Sequence, residues 1–220
     1  MRAYIITGTS SGLGKAFFDL FSQEDALVVA ISRRFLPDQR ESARVRLVQR
    51  DLGVDIPSSE EIRRWLGPDV NEVVFINNAF MDQPIGKFGT LKGDRLAEAV
   101  RVNIIAPMLL ANAILTATDR PVKLINISSA ASKRPVAGWA VYCSTKAATE
   151  MLFDVIAQEE HPNVTVHSIN PGVIDTPMQE RIRASDFPGR ERFVAMKEKG
   201  ELASPDDAAR RIAAELLGVA

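Results

Sequence analysis

A single cysteine, Cys143, is all that the 220 residues contain. No disulfide can form within the chain, and a reducing, cytoplasmic setting is expected. Histidine is nearly as scarce: His161 and His167 stand alone, and no His/Cys/Asp spacing resembles a metal site, so no metal is expected. Excess charge is missing too. The formal net charge is −1, which removes the basic field that draws a protein to nucleic acid or an anionic membrane. Short basic runs such as Arg190–Arg192 and Lys197–Lys199 are interrupted by acids and read as solvated helix faces. The start of the chain lacks the charged, then apolar pattern of a signal peptide. No unbroken apolar run reaches the ~18 residues of a membrane span. The longest, Ile104 to Leu115, is interrupted by Pro107 and Asn112 and is expected as a buried helix. Internal repeats and low-complexity tracts are absent. Neither nucleic acid nor membrane is therefore expected as a partner.

What is present suits a compact enzyme-sized core: 46% of the residues are hydrophobic, enough for one domain over residues 1–220. Short apolar, β-branched runs alternate with longer helical patterns, the signature of a parallel sheet covered by helices on both faces. Strands are expected near 3–7, 26–31, 45–49, 72–76, 122–127 and 164–169, and helices near 12–22, 59–66, 92–118, 141–160 and 205–217. The near-continuous hydrophobicity of the strands fits a sheet buried on both sides. Ser58 with Glu61 has capping-box spacing, and Ser204-Pro205 supplies an N-cap followed by proline at the first helical position. Pro107 should kink the long fourth helix. Residues 177–200 mix short helical patterns with Pro188-Gly189 and read as a mobile excursion. The fold class is α/β, a Rossmann-like doubly wound parallel sheet. Ligands of such a sheet bind outside the carboxyl ends of its strands.

The residues after those strand ends carry chemistry. After the first strand comes Thr7-Gly8-Thr9-Ser10-Ser11-Gly12-Leu13-Gly14, opening directly into a helix. Glycines let the backbone approach a pyrophosphate, whose charge the helix N-terminus favours. Gly8, Ser10, Ser11, Gly12, Leu13 and Gly14 are the candidate phosphate-binding residues. Gly14-Lys15 resembles the end of a P-loop, but Thr9 stands where the first glycine should be and Ala16 replaces the magnesium-binding hydroxyl. The second strand ends in Ser32-Arg33-Arg34, with no acid to hold a ribose 2′-hydroxyl. Arg33 and Arg34 match a 2′-phosphate instead, which favours NADP(H) over NAD(H). Asp51 and Leu52, after the third strand, are expected at the adenine edge.

Ser128-Ser129 follow the fifth strand, and Tyr142 and Lys146 open the next helix one turn apart on one face. A phenol with its ordinary pKa of about 10 is a poor acid–base group at neutral pH. A neighbouring ammonium, and the positive ring of an oxidised nicotinamide, would pull that value down. Taken with Asn103 and the glycine loop, these residues form a catalytic constellation.

The chain resembles the short-chain dehydrogenase/reductase family over essentially its whole length. The resemblance rests on TGTSSGLG at 7–14, NNA at 77–79, Asn103, INISS at 125–129, YCSTK at 142–146 and NPGVIDT at 170–176. GWAVYCSTKAA at 138–148 and PGVIDTPMQ at 171–179 are most similar to the benzil reductase and sepiapterin-reductase-like branch. The resemblance implies that Tyr142 exchanges a proton with a carbonyl oxygen and that Ser129, thirteen residues before it, hydrogen-bonds the same oxygen. It implies that Lys146 binds the nicotinamide ribose and lowers the tyrosine pKa, while Asn103 holds a relay water. Asn77, Asn78 and Ala79 would line the cofactor groove, and Pro171, Gly172, Val173 and Thr176 its nicotinamide end. The implied partner is a small carbonyl or alcohol substrate, with a homodimer or homo-oligomer as the assembly.

Three departures from the family pattern carry expectations of their own. Phe80 follows Asn-Asn-Ala where the family usually has glycine, so the loop should be rearranged and the pocket narrowed. The sequence stops at Ala220, soon after its last helix, without the further strand that relatives usually add. The usual tetramer is not expected, and the sixth strand becomes an exposed edge. No basic residue precedes Gly12, so cofactor preference rests on Arg33 and Arg34. Phe80, Met81, Trp139, Met178, Ile182 and Phe193 are the candidate substrate lining, suited to a hydrophobic ketone or diketone such as benzil. A pterin carbonyl substrate is the alternative, although no acid is evident for its guanidine-like edge. A dinucleotide sensor or scaffold without turnover is a third reading, disfavoured because tyrosine and lysine are both kept. Sugar-nucleotide epimerase chemistry would need a C-terminal substrate region for which the sequence has no length.

Overall fold

The computed structural model describes residues 1–219. Six strands, β1 (Arg2–Thr7), β2 (Ala26–Ser32), β3 (Val45–Gln49), β4 (Glu72–Asn77), β5 (Val122–Ile127) and β6 (Val164–Ile169), form one parallel sheet in the order β3-β2-β1-β4-β5-β6. This is the doubly wound order, in which the chain reverses direction between β1 and β4 and opens a crevice there.

Side-chain parity explains why the central strands read as unbroken hydrophobic runs. In β1, Tyr4 and Ile6 join one core, and Ala3 and Ile5 join the other. The same alternation divides Val74 and Ile76 from Val73 and Phe75 in β4, and Ile125 and Ile127 from Val122 and Leu124 in β5. Each face is buried, so both parities must be apolar. On the first face, α1 (Gly12–Phe21) packs against α8 (Pro205–Leu217). On the second lie α2 (Ser59–Leu66), α4 (Ala106–Ala117) and α5 (Ala140–Gln158), anchored by Ile62, Leu110, Ile114 and Phe153. The expected caps form: Ser58 and Glu61 make the reciprocal capping box of α2, and Ser204 Oγ accepts from the Asp207 amide ahead of α8. No helix links β2 to β3. Residues 33–44 cross instead as an irregular loop that lays Phe35 against the first core.

Two expectations change. The helix expected over 92–118 is three pieces: α3 (Gly93–Val100), a π-helical segment Arg101–Ile105, and α4. Pro107 has no N–H to offer the carbonyl of Asn103 four residues earlier, and the helix widens there, with the Ala106 amide reaching back to Arg101 O. Gly93–Ala117 as a whole is apolar and long enough to cross a membrane by length and composition, which the interruption count along the sequence understated. Its hydropathy has two sources: Leu110 and Ile114 face the core, whereas Val100, Ile105, Met108 and Leu109 form an exposed apolar stripe. The segment 177–200 is likewise structured, as α6 (Pro177–Ala184) and α7 (Arg190–Glu198).

Candidate active site

The glycine loop leaves β1 and enters α1 with Gly8 and Gly12 at positive φ, 74° and 54°. Ser11 occupies the N-cap of α1, but its side chain makes no capping bond, so the first amides of the helix remain open to a ligand. Gly14 is needed for space. A Cβ there would stand 2.2 Å from Gly8 O and 2.3 Å from Asn78 Nδ2. The Asn-Asn-Ala residues brace the loop from β4: Asn78 Nδ2 donates to Thr7 O at 2.9 Å, and the Asn78 and Ala79 amides donate to Thr7 Oγ1 at 3.0 and 2.9 Å. Asn77 donates to Asn126 Oδ1 at 3.0 Å and is buried. The Gly12 position lies against Thr176, which brings the 170–176 segment to the loop. Of that segment, Pro171, Val173 and Thr176 are half-buried and Gly172 is exposed.

Arg33 and Arg34 are exposed at the end of β2. A buried residue that sequence reasoning missed, Gln39, docks their loop: its Nε2 donates to Thr9 O at 2.9 Å, and its Oε1 accepts from the Leu36 amide at 3.0 Å. Gln39→Ala would leave both backbone groups without partners, and we expect it to cost about 2 kcal/mol of stability. Urea unfolding measures this, and an unchanged midpoint would show that the loop is held some other way. Asp51 is exposed beyond β3, its Oδ1 accepting from the Gly53 amide at 2.9 Å, and Leu52 is buried in the second core.

At the carboxyl end of β5, Ser129 faces Tyr142, and its hydroxyl also accepts from the Ala131 amide at 3.2 Å. Tyr142 and Lys146 are only 9% and 7% exposed. Burial pushes the Tyr142 phenol above its ordinary value, the Ser129 bond pulls it down, and the charge of Asp82 adds to the rise. The expected lowering by Lys146 is therefore not found. The reason lies with the lysine, whose Nζ donates to Ile127 O at 2.6 Å and stands 4.0 Å from the Phe80 ring centroid. Burial brings Lys146 itself down to about 7, opposed by the negative charge of Glu150.

Glu150, one turn beyond Lys146, is a second residue that sequence reasoning missed, although the spacing of four along α5 was visible. It accepts from Ser128 Oγ at 2.5 Å and pairs with Lys133 at 3.0 Å. Burial raises its carboxyl, but the bonds from Ser128, Ser132 and Lys133 outweigh that and hold it low.

Asn103 is fully buried in the π-helical segment, and its side chain is fully engaged. Oδ1 accepts from the Met81 amide at 2.7 Å, while Nδ2 donates to Met81 O at 2.9 Å and Thr145 Oγ1 at 3.2 Å. The side chain thus ties the loop after β4 to α5.

Aromatic side chains enclose Tyr142. Phe80 meets it edge-on and Trp139 at a tilt, each with centroids 5.0 Å away, and Trp139 in turn packs on Phe187 and Phe193. Met178 and Ile182 complete the cluster. Five of the six expected lining residues are therefore together. Met81 lies outside the cluster, and Phe187 is an addition that its position inside Asp186-Phe187-Pro188 did not signal. Buried Asp82 accepts two bonds from Arg181, both 3.0 Å, and fastens α6 to the loop after β4. Among the described residues, no group of three or more His, Cys, Asp or Glu could hold a metal ion.

This geometry has relatives. A family profile described as short chain dehydrogenase matches residues 2–186. The chain is 35% identical to a benzil reductase ((S)-benzoin forming) of Bacillus cereus, over 96% of this chain and 92% of that protein. It is 29% identical to the sepiapterin reductase of Meriones unguiculatus, over 94% and 88%. Among solved structures, the KRED1-Pglu enzyme superposes with a TM-score of 0.80 at 28% identity, covering 100% of this chain and 97% of that one.

Proposed function

This chain belongs to the short-chain dehydrogenase family, in its benzil and sepiapterin reductase branches, and from that premise we propose that it is an NADPH-dependent reductase of hydrophobic ketones and diketones. The observation that carries the reading is the aromatic cluster packed directly on Tyr142, which Ser129 also contacts.

The residues fit a dinucleotide. The uncapped start of α1 suits a pyrophosphate, with Gly14 letting the helix pack closely on the loop that presents it, and the exposed Arg33 and Arg34 suit a 2′-phosphate. When bound, the reduced nicotinamide supplies hydride to the substrate carbon. The chain's own residues do the rest. Ser129 Oγ donates to the carbonyl oxygen and holds it as negative charge develops. Tyr142 Oη gives its proton to that oxygen, and burial, by raising the phenol pKa, keeps it in the protonated form that can donate. Lys146 Nζ binds the ribose hydroxyls, and the Asn103 carbonyl that Pro107 cannot bond holds the water through which Tyr142 is reprotonated. Trp139, Phe187 and Phe193 exclude bulk water and accept aryl groups.

A pterin substrate fits less well, because the buried acid near Tyr142, Asp82, already serves Arg181. The bibenzoyl ketone benzil is the first substrate to try, following NADPH absorbance and NADH in parallel. NADPH is expected to be preferred. Changing Arg33 and Arg34 together to alanine should reduce that preference by about 10- to 100-fold, the worth of one or two charge-assisted bonds. Equal use of both cofactors by the unaltered protein would overturn the NADPH assignment.

A further inference from the structure

Phe80 touches both members of the Tyr142–Lys146 pair. Its ring face lies 4.0 Å from Lys146 Nζ and its edge meets the Tyr142 ring. The ammonium has three donors, and the one acceptor bonded to it is Ile127 O. On the basis of the function proposed above, we propose that Phe80 is a positioning residue that holds Lys146 as an ammonium in the cofactor-free protein, by presenting its π face to a donor left over from Ile127.

Around Lys146 the ring is the group in contact with the donors left over from Ile127, while Glu150 supports the ammonium through its charge. The titratable groups near Lys146 are Tyr142 and Glu150, both on α5. The loop after β4 presents Phe80, β5 presents only the Ile127 carbonyl, and the π-helical segment presents Asn103, which is neutral. Glu150 is committed to Ser128 and Lys133, and Asp82 to Arg181. Even against the charge of Glu150, burial brings Lys146 down to about 7, close to physiological pH. A desolvated cation over an aromatic face is among the stronger contacts of its kind. The rigid Asn78-Ala79 brace and the Asn103 clamp on Met81 hold residue 80 between them, so the ring's position is set by the fold.

The test titrates Lys146 in the cofactor-free protein, using 13C-lysine and the side-chain Cε resonance, assigned by its loss in Lys146→Arg. Phe80→Leu keeps an apolar side chain but removes the π face, and its titration midpoint should fall by about one pH unit. Phe80→Tyr should restore the original midpoint. Phe80→Met serves if the leucine variant does not fold. A leucine or methionine midpoint equal to or above that of the unaltered protein overturns the inference, and so does a tyrosine variant that titrates like leucine. A packing role alone would change stability without separating leucine from tyrosine in this way. Because no turnover is needed, the two readings fail separately: absent reduction with the expected titration sinks only the function. Turnover with an unmoved titration sinks only the role of Phe80.

Discussion

Tyr142→Phe is expected to lower the turnover of benzil with NADPH by about 10³-fold, within the range that a positioned proton donor supplies. The phenol is the acid hydrogen-bonded to Ser129, whereas Lys146 is turned to Ile127 O and Asp82 to Arg181. Removing one oxygen leaves the ring contacts with Phe80 and Trp139 in place, so folding and cofactor binding should persist. Steady-state rates with tryptophan-fluorescence binding of NADPH in the same preparation separate the two effects. A variant that retains a tenth of the rate would remove Tyr142 as the donor.

Gly14→Ala should destabilise the protein by about 3 kcal/mol or more, combining overpacking with broken buried hydrogen bonds. Helix propensity points the other way, since alanine inside a helix is favoured over glycine by about 1 kcal/mol. The contact distances decide the sign. The nearest atom, 2.2 Å from the added carbon, is the Gly8 carbonyl oxygen, which is backbone and cannot swing aside. Displacing it also strains the Asn78 bonds to Thr7 O and Gly8 O that brace the loop. Gly12→Ala meets only the Thr176 methyl at 3.0 Å, although its positive φ adds strain, and should cost less. Urea unfolding of both variants checks the order. A Gly14→Ala protein with the original midpoint would mean that the loop is far softer than its bonds indicate.

The strands, their order along the chain and the caps at Ser58 and Ser204 were legible from local pattern. Continuous apolar, β-branched runs and capping spacings are properties of neighbouring residues, and burial on both faces of the sheet is what makes the runs continuous. The Ser129, Tyr142 and Lys146 set was legible for the same reason, as two short motifs of recognisable chemistry. The π-helical widening before Pro107 was only half legible: proline announces an interruption, but not which way the helix accommodates it.

Other features belong to the tertiary structure alone. The Asn103 side chain clamps Met81, because the sheet brings the loop after β4 onto the buried π-helical segment, and nothing in the sequence announces that second task. The Leu52 side chain turns into the core. Asp82 and Arg181 meet across 99 residues of sequence, and Gln39 reaches Thr9 across 30. No periodicity encodes such pairs. By itself the sequence determined which chemical groups the site contains and the elements that bear them. The tertiary structure decided which groups face one another and how dry they are, and with that the protonation of Lys146 and Tyr142, because desolvation and charge depend on distances that only the folded chain sets.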